Sequence, residues 1–167
     1  MIIIDDYLNA RRWDIALQML SGPHWEYPPF SGHDDKTCVW RIFKPDIESR
    51  LGWLLYHNIP RNHFSPMKVK RVGVNGQTAG TDSHWHIDGP QGHTSLIHFS
   101  SPVWNEEWGG ALVVGDDVVD YKPNRAVIFD SSLLHCPFTP TKPNKLRISI
   151  GLHLEPAESW EYKYIPR

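Results

Sequence analysis

From residue 67 onward the chain is a series of short β-branched runs separated by turn signals, with no helical pattern between them. "MKVKRVGV" alternates with period two. "TSLIHFS" (94–100), "GALVVG" (110–115), "RAVIFD" (125–130) and "LRISIGLHL" (146–154) follow, the last two introduced by "KPN" and "TKPNK". Strands at this spacing without intervening helices pair antiparallel and stack into a sandwich or jelly roll; a βαβ fold is excluded because its crossovers need helices.

The region before residue 67 has a different rhythm. "IIIDDYL" reads as a short strand running into a turn. Residues 9–20 carry Trp13, Ala16, Leu17 and Leu20 at helical spacing behind Asn9, a good cap. Residues 21–35 hold three prolines and two glycines and predict a long loop. Residues 46–58 predict a second helix, with Asp46 as N-cap and Ile47, Leu51, Leu54 and Leu55 on one side. The expectation is one α+β, mainly β domain over 1–167, in which N-terminal helices buttress a jelly-roll core at about 67–154.

With 167 residues, 40% of them hydrophobic and 22% charged, the chain can build a core. A net charge of −2 gives no general pull toward nucleic acid or anionic membranes. The one basic run, Lys68, Lys70 and Arg71, reads as a solvated strand face or a phosphate-contact patch. Two cysteines, Cys38 and Cys136, make no disulfide framework. The start "MIIIDDYLN" lacks the features of a signal peptide, and no window has the length of a membrane span, so a cytoplasmic location is expected. Ten histidines and eight tryptophans are many for this length.

Histidine chemistry concentrates in "HWHID", residues 84–88. On a strand His86 and Asp88 emerge on one face, an imidazole beside a carboxylate. Two histidines and one carboxylate form the three-ligand face of non-heme iron(II) oxygenases, so another ligand must come from a neighbouring strand. His93, His98, His135 and His153 are candidates, and His135 stands where the sandwich should open. Arg147 alternates with Leu146, Ile148, Ile150 and Leu152 and shares its parity with Ser149, Gly151 and His153. An arginine and a serine on one face suit a buried carboxylate; an ordinary arginine–acid pair is the alternative.

Taken in order, HxD, a later histidine and an RxS strand resemble the iron(II)/2-oxoglutarate-dependent dioxygenases, in particular the prolyl 4-hydroxylase-like branch with its small bacterial and phage-borne members. "VWNEEWGGALVV" and "KPNRAVIFDSSLLH" are similar to the connecting segments of that family. The resemblance spans about 67–154. It implies a double-stranded β-helix in which His86, Asp88 and His135 bind Fe(II). Arg147, with Ser149 and with help from Thr94, would hold the far carboxylate of 2-oxoglutarate; Asn75 and Gln77 would reach the site from the rim. One departure is plain: "KRVGVNGQ" lacks the tyrosine that prolyl hydroxylases often place on the strand before HxD.

The implied reaction consumes O2 and 2-oxoglutarate, releases succinate and CO2, and hydroxylates an unactivated C–H bond. Asp88 argues for hydroxylation over halogenation, because related halogenases carry a small residue there. The substrate expected is a peptidyl proline, an amino acid or another small metabolite. Nucleic acid is not expected, because the dealkylating branch carries a second arginine where this chain has His153. Two other readings stand beside this one: a metal-binding cupin-type isomerase or sensor, and a non-catalytic β-sandwich interaction module. Neither needs Arg147 or Ser149.

Overall fold

The computed structural model describes residues 1–27, 40–81 and 84–163. β1 (Ile2–Ile4) leads into α1 (Ala10–Leu20). Asn9 caps that helix as expected, its side chain accepting the Arg12 N–H at 3.0 Å. Residues 21–35 are not all loop: β2 (Trp25–Glu26) pairs with β3 (Trp40–Ile42). Pro28, Pro29 and Cys38 lie outside the described residues. α2 (Pro45–Tyr56) starts earlier than the sequence implied. Pro45 occupies its first turn, where a missing N–H costs nothing, so Asp46 sits inside the helix rather than capping it.

The strands follow as β4 (Met67–Gln77), β5 (Thr94–Phe99), β6 (Leu112–Val114), β7 (Asp117–Val119), β8 (Ala126–Asp130), β9 (His135–Pro137) and β10 (Arg147–Pro156). β4 runs on through "NGQ", which the sequence placed in a loop. β3, β7 and β9 are too short to show a period and escaped the sequence reading. β10 is central to a seven-stranded antiparallel sheet of order β1-β8-β5-β10-β4-β3-β2; β7-β6-β9 form a smaller sheet. His86 joins the smaller sheet beside β9 through paired backbone bonds with His135 of 3.0 and 2.9 Å.

Alternation along β10 splits the interior in two. Ile148, Ile150, Leu152 and Leu154 pack with Leu51, Leu55, Val72, Val74, Leu96 and Ile128 under the helices. A second core, with Phe99, Leu112, Val114, Val119, Tyr121, Val127 and Phe129, lies between the two sheets. Arg147, Ser149, Gly151 and His153 face this second space. The mainly β jelly-roll expectation is met, and the helices lie against the outer face of the larger sheet. No helix among the described residues is long and apolar enough to cross a membrane.

Candidate metal and cosubstrate site

His86, Asp88 and His135 come together with one potential ligand atom each, all within 4.8 Å of one another. His86 Nε2 lies 3.9 Å from Asp88 Oδ1, and His135 Nε2 lies 3.4 Å from Asp88 Oδ2. Both imidazoles are oriented by the same device. His86 Nδ1 is 2.9 Å from the His84 carbonyl and His135 Nδ1 is 3.0 Å from the Leu133 carbonyl. A carbonyl only accepts, so each Nδ1 carries a proton and each Nε2 is left facing the other two residues.

Asp88 is held from several sides. The Ser131 carbonyl accepts its backbone N–H at 2.9 Å, and Ser95 Oγ donates to Oδ2 at 2.8 Å. Arg71 Nη2 approaches Oδ1 at 3.3 Å. Burial pushes the carboxyl pKa up, but the bonds from His135 and Ser95 and the nearby His153 outweigh it and hold Asp88 well below the usual carboxylate range. It is an anion at neutral pH.

The sequence did not place Arg71 or Ser95 at the metal end, and it weighed His153 there only as one of four candidate third ligands. Arg71 belonged to an apparently solvated basic run, but the β4–β10 register slips between His153 and Leu154, leaving Lys70 as the extra residue. That bulge turns Arg71 inward. Arg71 Nη2 then lies 2.8 Å from His153 Nε2. Arginine cannot accept, so His153 Nδ1 carries the proton and points at Asp88 Oδ2, 3.3 Å away. The two make no full hydrogen bond, and the contact is electrostatic. Burial lowers the His153 pKa to about 4, so this imidazole is neutral. The parity with Arg147 was the available signal.

The other end of the space is built by Arg147, which is 0% exposed. Its Nε donates to the Gly110 carbonyl at 2.7 Å and its Nη1 to Gln77 Oε1 at 3.0 Å; Ser149 Oγ lies at 3.5 Å from Nη1. Phe99 and Tyr121 flank the guanidinium at 5.3 and 5.2 Å. Gly110 sits at φ 83°, with Trp104 within 2.9 Å of where a Cβ would stand, so the "WGG" turn needs glycine to bring its carbonyl onto Arg147. Burial lowers the Arg147 pKa to about 10, which leaves it a cation. Nη2 is buried and has no hydrogen-bond partner among the described residues.

Between the two ends, Gly151 and Gly73 face each other across β10 and β4. A Cβ on Gly73 would meet nothing within 4 Å. A Cβ on the facing Gly151 would touch His153 and Ile97, so the clear side of this floor is the β4 side, and Gln77 and Ser149 stand beside Arg147 in the same space. Thr94 does not. It shares its face of β5 with Leu96, which packs under the helices, and the inward position falls to Ser95. Trp85 and Ile87, which alternate with His86 and Asp88, are 50% and 56% exposed. His98 is structural: it is buried against Tyr7 and Trp13 and bonds Ser100 and Asn124.

No family profile and no curated protein sequence matches the chain. Solved structures do. A prolyl hydroxylase from Trichoplax adhaerens, in complex with a hypoxia inducible factor peptide, matches at 16% identity over 92% of this chain and 82% of its own, with a TM-score of 0.66. The viral collagen prolyl hydroxylase of Paramecium Bursaria Chlorella virus-1 matches at 12% identity over 93% and 90%, with a TM-score of 0.60. HygX from Streptomyces hygroscopicus, solved with nickel and 2-oxoglutarate, matches at 10% identity over 99% and 86%, with a TM-score of 0.67. The jelly roll described above is the fold these proteins share.

Proposed function

We propose that the chain is an Fe(II)- and 2-oxoglutarate-dependent dioxygenase that hydroxylates an unactivated C–H bond of an amino acid, a peptidyl proline or another small metabolite. The observation that carries this reading is the orphaned Nη2 of Arg147. A fully buried cation with an unsatisfied N–H is costly unless an anion meets it. The glycine pair Gly73 and Gly151 lies along β4 and β10 between it and the His86, Asp88 and His135 group. A dicarboxylate with a keto group beside one carboxylate fits both ends. A cupin-type metal site or a binding module has no use for Arg147.

In this reading His86, Asp88 and His135 hold the metal through Nε2, a carboxylate oxygen and Nε2. Bound iron and 2-oxoglutarate supply oxidising power from O2, with succinate and CO2 released. The protein's own work is placement. Arg147 pairs with the far carboxylate through Nη2 while Gln77 and Gly110 fix its plane. Ser149 adds a hydroxyl beside that carboxylate. The backbone carbonyls of His84 and Leu133 keep both ligating imidazoles in the productive tautomer. Ser95 and Arg71 hold the Asp88 carboxylate against rotation. The apolar residues between the sheets, Phe99 and Phe129 among them, keep bulk water from the cosubstrate end.

The test is to add Fe(II) and 2-oxoglutarate anaerobically and record the visible spectrum, then admit air and measure succinate. A weak charge-transfer band and slow uncoupled succinate formation are expected. Neither signal appearing overturns the reading. Mass analysis of any product separates hydroxylation, which adds one oxygen atom, from epimerisation, which leaves the mass unchanged.

A further inference from the structure

A second cation faces the same interior. Arg41 lies on β3 directly opposite Asn75 of β4. In an antiparallel pair opposite residues share a face, and Asn75 shares its face with Gln77, which bonds Arg147. Arg41 and Asn75 therefore point into the space between the sheets, in the row that continues to Ser149 on β10. Trp40 and Ile42 take the other face; the Trp40 Cβ abuts Gly76, and Ile42 belongs to the core under the helices.

Arg41 Nε is buried and has no hydrogen-bond partner among the described residues. The acid opposite it on β2 is Glu26, which instead lies 3.8 Å from Lys44. The Nε–H is one of the two donors with which a guanidinium grips a carboxylate side-on. Arg147 already answers to the far carboxylate of the cosubstrate, and Arg71 is engaged with Asp88 and His153. Arg41, half-buried with its Nε fully enclosed, is thus a cation on this face that the reading above does not use.

We propose that Arg41 and Asn75 form a second oxyanion subsite, which takes the carboxylate of a small-molecule substrate. This rests on the dioxygenase reading and narrows it from peptidyl proline toward free carboxylate metabolites of amino-acid type. Arg41 contributes the charge and the planar fork. Asn75, beside it, adds an amide donor and sets the tilt of the bound group.

The test uses the full chain loaded with Ni(II) and saturating 2-oxoglutarate, titrated by calorimetry with free L-amino acids and with the same amino acids as their amides. At least one free carboxylate is expected to bind tenfold or more tightly than its amide. Arg41→Gln should erase that preference, and Arg41→Lys should restore part of it, with 2-oxoglutarate affinity and thermal melting unchanged in both. Equal binding of acids and amides, no binding of any acid, or an unchanged preference in R41Q overturns the proposal. So does tighter binding of inorganic phosphate than of every carboxylate, or a loss of 2-oxoglutarate affinity in R41Q, which would put Arg41 in the cosubstrate subsite. If wild-type protein fails to bind 2-oxoglutarate at all, the dioxygenase reading has failed instead.

Discussion

His153 Nδ1 stands 3.3 Å from Asp88 Oδ2, so a neutral imidazole on β10 braces the one anionic candidate ligand. Its tautomer is set by Arg71, whose Nη2 lies 2.8 Å from the opposite ring nitrogen. The pair links the central strand to the ligand segment.

A brace of this kind acts on the metal through the ligand's orientation. Outer-shell partners of metal ligands typically matter by about 10–100-fold in affinity. His153→Ala should weaken Fe(II) or Ni(II) binding within that range at constant pH. The 2-oxoglutarate affinity of protein saturated with metal should change little. Metal titration of both proteins checks this; equal metal affinity would reduce His153 to a packing residue.

The glycine floor makes a different demand. A Cβ at Gly73 meets open space, and β-branched residues suit strands. Gly73→Val should therefore fold with stability equal to or above that of the wild type, yet lose 2-oxoglutarate binding by tenfold or more through simple occlusion. Chemical denaturation and calorimetry on the same sample separate the two effects. A variant that binds 2-oxoglutarate normally would show that the cosubstrate does not lie over this floor.

Acid stability should report on His98. This imidazole is 0% exposed, and burial lowers its pKa from 6.5 to about 4. Unfolded chains take up the proton first as pH falls below 6.5, so stability is fullest above that value and declines until the folded-state pKa near 4. The loss is on the order of a few kcal/mol. His98→Gln should flatten the slope between those limits in metal-free protein, measured as unfolding free energy in urea at several pH values. An unchanged slope would assign the effect to other groups, the buried His153 first among them.

Much of this was legible in the sequence, for a physical reason. Long antiparallel strands such as β10 must alternate between two cores, so Arg147, Ser149 and His153 announced a shared face. "HWHID" put His86 and Asp88 together as candidate ligands by strand parity, although in the fold only His86 of this stretch makes a β-bridge. What stayed hidden depended on register. The bulge at Lys70 that turns Arg71 inward leaves no mark in "MKVKR". In "TSLIHF" both alternating sets mix polar and apolar residues, so Thr94 and Ser95 could not be ranked until pairing with β10 placed Leu96 under the helices.

The central claim is that the orphaned Nη2 of Arg147 awaits the far carboxylate of 2-oxoglutarate. Its direct measure is the anaerobic affinity of metal-loaded protein for 2-oxoglutarate, in wild type and in Arg147→Gln, with metal affinity measured alongside. Loss of one partner of a buried charge pair costs about 2–5 kcal/mol, so the variant should bind 2-oxoglutarate at least about 30-fold more weakly while holding metal as before. An R147Q protein that binds 2-oxoglutarate as the wild type does, or that loses metal equally, would contradict the account.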